Sequence, residues 1–157
     1  MTDAAAVLAA LSGRGQTLAV AESLTGGLLA ATLVDVPGAS AVFRGGLVVY
    51  ATDLKHALAG VRQDLLDERG PVDPDVALAL AAGARERCRA DWGLATTGVA
   101  GPDPQDGVPV GTVYVACHGT TGVVRALRLP GGRAAVRHGA VIAALNLLGD
   151  VLGVEAG

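Results

Sequence analysis

The run Thr17-Leu18-Ala19-Val20-Ala21 is short and apolar throughout, as a buried strand is, and just after it the periodicity changes: Leu24, Leu28, Leu29 and Val34 recur at helical spacing. The switch predicts a strand that turns into a helix, with Ser23 at the helix N-terminus. Upstream, Val7, Leu8 and Leu11 share one face of an amphipathic segment ending at Gly13-Arg14-Gly15, so the chain opens as helix then strand. After the turn-rich Val36-Pro37-Gly38-Ala39-Ser40, the β-branched Gly46-Leu47-Val48-Val49-Tyr50 predicts a second strand closed by Tyr50. A short helix over 53–58 follows. Asp73-Pro74 then supplies an N-cap with proline at the first helical position and opens a helix through Arg89, with Val76, Leu80 and Ala84 as its buried stripe. Trp92 to Thr97 predicts another strand, and Gly98 to Gly107 a loop long enough to point to function or mobility. Thr112–Cys117 and Val123–Leu129 pair as a hairpin across His118-Gly119-Thr120-Thr121-Gly122, and a helix over 133–152 closes the chain.

Helices and strands alternate early and two strands then follow in succession, which predicts a mixed sheet in an α/β protein, a single α/β/α layered domain over residues 1–157. In open α/β sheets ligands gather beyond the carboxyl ends of the strands, where Ser23, Tyr50 and Thr97 converge. With 51% hydrophobic but only 3% aromatic residues, the core is built mainly from Ala, Val and Leu, which suits close packing of helix on sheet. A net charge of −3 without a basic tract argues against nucleic-acid binding. Charges or glycines interrupt every apolar run before the roughly 18 to 20 residues of a membrane span, so no membrane association is expected. Cys88 and Cys117 lack CxxC spacing and no secretory signal precedes them, which fits reduced thiols in a cytoplasmic protein. Metal-ligand clusters and a GxxxxGK[ST] loop are both missing, so neither metal nor cofactor is implied. An Ala- and Gly-rich surface is compatible with a homo-oligomer.

The chemistry centres on Ala21-Glu22-Ser23-Leu24-Thr25-Gly26-Gly27. Ser23 or Thr25 can serve simply as a helix cap. The adjacent Gly26 and Gly27, however, cost helix stability where they stand, and a reason to keep them is the close approach of a ligand or another backbone. Thr25, Gly26 and Gly27 therefore join the candidate substrate-binding set. Unpaired N–H groups in a first helical turn would favour an oxyanion beside the hydroxyl. A serine needs a base. His56, His118 and His138 have no suggestive acidic partners, whereas Lys55 is the only lysine in the chain and follows Tyr50 across a strand–helix junction. Burial lowers a lysine pKa toward the useful range, so a Ser23–Lys55 pair with Tyr50 beside it is the candidate catalytic group. The short-chain dehydrogenase arrangement is excluded, because Tyr50 and Lys55 lack the Tyr-x-x-x-Lys interval and no GxGxxG turn follows the first strand.

Together with Pro37-Gly38-Ala39-Ser40, Phe43-Arg44-Gly45-Gly46-Leu47-Val48-Val49-Tyr50, Thr97-Gly98-Val99-Ala100-Gly101-Pro102 and Pro109-Val110-Gly111-Thr112-Val113, that turn resembles the CinA C-terminal domain family through nearly the whole chain. The resemblance implies a nicotinamide-nucleotide amidohydrolase, converting nicotinamide mononucleotide and water into nicotinate mononucleotide and ammonia. Family members occur alone or fused behind another domain, and the chain resembles the stand-alone form. By motif, Ser23 becomes the nucleophile, Lys55 its base and Tyr50 a proton-relaying or orienting hydroxyl. Thr97, Gly98, Ala100 and Gly101 would line the substrate, and Arg137 or Arg133 at the start of the last helix would meet the phosphate. Two departures stand out. Asp73 replaces a serine of the family's Gly-x-Val-Ser stretch, and Asp103-Pro104-Gln105-Asp106-Gly107-Val108 lacks the paired glycines and the lysine before Pro109. Two other readings stay open: a non-catalytic nucleotide- or protein-binding regulatory domain, and an amidase for a different substrate.

Overall fold

The computed structural model describes residues 2–155. Helix α1 (Ala4–Gly13) leads into β1 (Leu18–Glu22), and α2 (Leu28–Val34) and a 3-10 turn at Ala39–Ala41 connect it to β2 (Phe43–Val48). Helices α3 (Thr52–Ala57), α4 (Gln63–Arg69) and α5 (Pro74–Arg87) precede β3 (Trp92–Gly98), the hairpin β4 (Thr112–His118) and β5 (Gly122–Arg128), and α6 (Arg133–Leu152). The sheet runs β2-β1-β3-β4-β5. Strands β1, β2 and β3 pair in parallel while β4 pairs antiparallel with both β3 and β5, the mixed α/β sheet expected from the element order.

Side-chain size sorts the two faces of that sheet. Leu18, Val20, Leu94, Val113, Val115 and Cys117 point to one face, where they pack with α1, α2 and α6. Ala19, Ala21, Ala95 and Ala116 point to the other, where the stripe of Val76, Leu80 and Ala84 on α5 is fully buried. Small residues there let α5 lie close against the strands. Gly93 belongs to this arrangement, since a Cβ on it would collide with the Ala81 carbonyl. Asp73 caps α5 by accepting from the N–H groups of Asp75 and Val76 at 2.8 and 3.2 Å, the cap expected from Asp73-Pro74.

Four sequence expectations are corrected. Helix α2 begins at Leu28 rather than Ser23, because Gly26 and Gly27 are both left-handed, with φ of 57° and 105°, and no right-handed helix passes through them. Strand β2 lies earlier than expected and ends at Val48, the partner of Glu22, which leaves Tyr50 beyond the strand. Helix α4 was not anticipated; it is seven residues long with one buried residue, Leu66, too short for a periodic signal. Helix α6 is long and apolar enough to cross a membrane by length and composition, contrary to the expectation that every such run is interrupted. Its apolar stripe, from Val136 through Leu152, packs in the core against α1 and the sheet.

A candidate serine–lysine active site

Strand β1 delivers Ser23 to the carboxyl edge of the sheet, where its N–H donates to the Thr96 carbonyl at 3.1 Å and so extends the β1–β3 ladder by one residue. Helix α3 brings Lys55 to the same place. The Lys55 side chain is 1% exposed and its Nζ lies 3.0 Å from Ser23 Oγ, 2.8 Å from the Val49 carbonyl and 3.2 Å from the Tyr50 carbonyl. These three acceptors match the three N–H bonds of an ammonium. In the neutral amine, the two carbonyls still engage two N–H bonds and the lone pair is left for the Ser23 hydroxyl proton. Burial lowers the Lys55 pKa from 10.5 to about 8, which brings the neutral amine within reach near neutral pH. By contrast, burial pushes the Cys117 thiol up to about 11, the mark of an inert core cysteine.

The turn that carries Ser23 is held from below by Glu22. This carboxylate is fully buried and accepts from Thr25 Oγ1 at 2.6 Å, from the Leu29 N–H at 2.8 Å and from the Ala30 N–H at 3.0 Å. Glu22 is thus the cap of α2, satisfying donors at its positive end with a negative charge. That assignment removes the cap role from Ser23 and also occupies the helix-start donors expected to receive an oxyanion. Among the described residues, the N–H groups of Leu24 and Thr25, within the turn, donate to no protein acceptor. Glu22 stands in the central motif without a role assigned from sequence, although a single charge closing an otherwise apolar strand is a signal for one.

A cleft of about 170 Å³ opens over the pair, and Ser23, Lys55, Tyr50, Thr97, Gly98, Ala100, Gly101 and Arg133 all line it. Ser23, Tyr50 and Thr97, expected to converge, therefore do so, Tyr50 from just beyond its strand. Thr97 is fully buried and its hydroxyl donates to the Pro71 carbonyl at 2.7 Å, which fastens the segment after α4 to β3 as a wall of the cleft. Tyr50 is 60% exposed and its hydroxyl accepts from Arg133 at 3.1 Å, while Arg133 also donates to the Gly101 carbonyl at 2.6 Å. Tyr50, Arg133 and Gly101 accordingly rim one mouth. Thr52, Pro71, Val72, Asp103 and Gln105 line the cleft without having been anticipated. For Pro71 and Val72 the missed signal was Gly70-Pro71, a helix stop after Gln63–Arg69.

Four candidates lie outside the lining. Thr25 is fully buried, with its hydroxyl between Glu22 and the Thr96 hydroxyl at 2.8 Å. Gly26 and Gly27 supply the left-handed backbone of the turn rather than a surface of the cleft. Arg137 holds the turn itself: its Nε donates to the Leu24 carbonyl at 2.9 Å and a terminal nitrogen donates to the Thr25 carbonyl at 3.1 Å. Among the described residues no group of three or more His, Cys, Asp or Glu side chains is arranged to hold a metal ion.

Fold and site together define an α/β domain that opens a buried serine–lysine pair to one cleft at the carboxyl edge of a mixed sheet. The chain belongs to the CinA C-terminal domain family, which matches residues 2–152. It is 54% identical over 147 residues to a CinA-like protein of Frankia casuarinae, an alignment that covers 93% of this chain and 34% of the relative. The chain thus spans about a third of the length of the curated relatives it matches. Among solved structures it resembles a competence/damage inducible protein from Agrobacterium tumefaciens, with a TM-score of 0.90 at 34% identity over 96% of this chain and 93% of the other. A CinA superfamily protein from Klebsiella pneumoniae superposes with a TM-score of 0.92 at 32% identity, covering 96% and 95% of the two chains.

Proposed function

We propose that the protein is an amidohydrolase that cleaves the carboxamide of a pyridine mononucleotide, releasing ammonia from nicotinamide mononucleotide and leaving nicotinate mononucleotide. The observation that carries this reading is the 3.0 Å approach of a buried lysine amine to a serine hydroxyl at the floor of a cleft. Ser23 Oγ attacks the carboxamide carbon while Lys55 takes the hydroxyl proton, and the carbonyl electrons move onto oxygen. Collapse of the tetrahedral adduct breaks the C–N bond, and the departing nitrogen leaves as ammonia with the proton returned by Lys55. Tyr50, on the rim of the same cleft, assists that return. Water activated by Lys55 then adds to the acyl ester and frees both the carboxylate and Ser23.

The cleft volume of about 170 Å³ suits the amide-bearing ring alone. Ligand pockets that enclose a whole drug-sized molecule run to about 300 Å³ or more. The ribose and phosphate would therefore extend past the rim, where Arg133 offers a guanidinium suited to an anion. The test is ammonia release from nicotinamide mononucleotide, from simple pyridine amides and from aliphatic amides, by wild type, Ser23→Ala and Lys55→Met. Turnover of the mononucleotide lost in both variants is the expected result. Undiminished turnover in Ser23→Ala would sink the nucleophile assignment, and turnover confined to aliphatic amides would move the reading to another substrate.

A further inference from the structure

Arg137 and Arg133 stand one helical turn apart on α6, yet only Arg133 reaches the cleft. Arg137 is half-buried and spans the two carbonyls that follow Ser23, those of Leu24 and Thr25, at 2.9 and 3.1 Å. A trans peptide unit is planar, with its C=O and N–H directed oppositely. Fixing the Leu24 carbonyl toward Arg137 therefore fixes the Thr25 N–H in the direction away from Arg137, and that N–H has no protein acceptor among the described residues. Fixing the Thr25 carbonyl does the same for the Gly26 N–H, which donates to the Ser23 carbonyl at 3.1 Å and so fixes the other end of that peptide unit, the N–H of Leu24, which lines the cleft and has no protein acceptor among the described residues. The arrangement is stiff at its root, because Val136 and Ala140 beside Arg137 are fully buried. A cation bound to both carbonyls also polarises the N–H bonds of the same peptide units, which strengthens them as donors.

We propose that Arg137 is a positioning residue that, through the Thr25 carbonyl and the Gly26–Ser23 hydrogen bond, aims and polarises the Leu24 N–H toward the oxyanion, instead of contacting the phosphate of the substrate. The inference rests on the amidohydrolase reading given above. It assigns the two arginines of α6 to separate tasks: Arg133 recognises the substrate at the rim, and Arg137 sets the Leu24 donor from behind the turn.

The experiment uses wild type, Arg137→Ala, Arg137→Lys and Arg133→Gln. Two readouts are taken: the rate of Ser23 phosphonylation by a fluorophosphonate, and kcat and KM on nicotinamide mononucleotide and on the corresponding riboside. For Arg137→Ala, phosphonylation and kcat on both substrates fall together by about 10- to 100-fold, less than the roughly 100- to 1,000-fold of removing an oxyanion donor outright because the donor is misaimed and not deleted, with KM nearly unchanged. Guanidinium ion at millimolar concentration restores part of the rate, which a merely unfolded variant does not allow, and Arg137→Lys recovers little because an ammonium does not span two carbonyls as the planar fork does. Phosphonylation of Arg137→Ala at the wild-type rate overturns the proposal, as does a loss seen only as a raised KM for the phosphorylated substrate. Wild type that is phosphonylated at Ser23, slowly so without Arg137, but turns over no pyridine amide sinks the substrate reading while supporting the role of Arg137. Wild type that resists phosphonylation overturns both.

Discussion

The turn at residues 23–27 and the loop at residues 98–111 face each other across one cleft, and they are built in opposite ways. The turn is tied at every side: Thr96 holds the Ser23 backbone, buried Glu22 holds Thr25 and the head of α2, and Arg137 holds two of its carbonyls. Residues 102–108, by contrast, are bonded among the described residues only to one another, through the reciprocal Gln105 and Val108 backbone bonds at 3.1 and 2.8 Å. Asp103 and Gln105 reach the cleft from that exposed segment. A nucleophile must be held within a few tenths of an ångström to act, whereas a wall that selects a substrate tolerates variation in shape. Under the proposed function, chemistry would reside on the rigid side and selectivity on the loose one. One of the two departures from the family pattern, at residues 103–108, falls in that loose segment.

Breaking the rigid side produces the largest effects. Lys55→Met lowers kcat/KM for ammonia release by about 100- to 10,000-fold, the usual contribution of a positioned base. In wild type, kcat/KM falls tenfold per pH unit below about 8, because only neutral Lys55 accepts the serine proton, and a profile flat from pH 6 to 8 contradicts this. Stability carries the same signature. The Lys55 pKa is about 8 in the folded chain against 10.5 for a free lysine, so the folded state binds fewer protons between those values and gains stability as pH rises through them. Below pH 8 the cost of burying the charge is fully present. Denaturant titrations should accordingly show the stability of Lys55→Met relative to wild type dropping by about 3 kcal/mol between pH 7 and pH 11.

Glu22→Gln tests the support beneath the turn. The amide retains one acceptor oxygen where the carboxylate serves three donors, so chemical denaturation should register a loss of about 2 to 3 kcal/mol, with kcat lowered and KM little changed. Arg133→Gln belongs to the rim: KM for the phosphorylated substrate rises about tenfold, that for the riboside stays constant, and an equal rise for both contradicts the assignment. On the loose side, Asp103→Asn and Gln105→Ala shift KM by roughly twofold to fivefold, a fraction of 1.4 kcal/mol, with kcat preserved. A large loss of kcat in either would erase the contrast between the two regions.

Much of the element order was legible from local pattern. Asp73-Pro74 announced α5, the two strand-like runs joined by His118-Gly119-Thr120-Thr121-Gly122 announced the hairpin, and α6 spans 133–152 as expected. The start of α2 was misread because Leu24, Leu28 and Leu29 keep helical spacing through a turn whose backbone is set by Gly26 and Gly27. In the site, Ser23 and Lys55 were identifiable by residue type and by the isolation of a single lysine. Their contact spans 32 residues of chain, and no spacing encodes it.

Local chemistry determines what the sequence alone can yield: buried strands from apolar runs, helix starts from capping residues, a nucleophile and a base from side chains able to serve. The tertiary structure decided which groups are already committed. Glu22 became the helix cap, Thr25 a link between Glu22 and Thr96, and Arg137 a clamp on carbonyls, because hydrogen-bond partners are assigned only when distant segments pack. Burial of Lys55 is decided the same way, since desolvation depends on every element that closes around the amine and not on its neighbours in the chain.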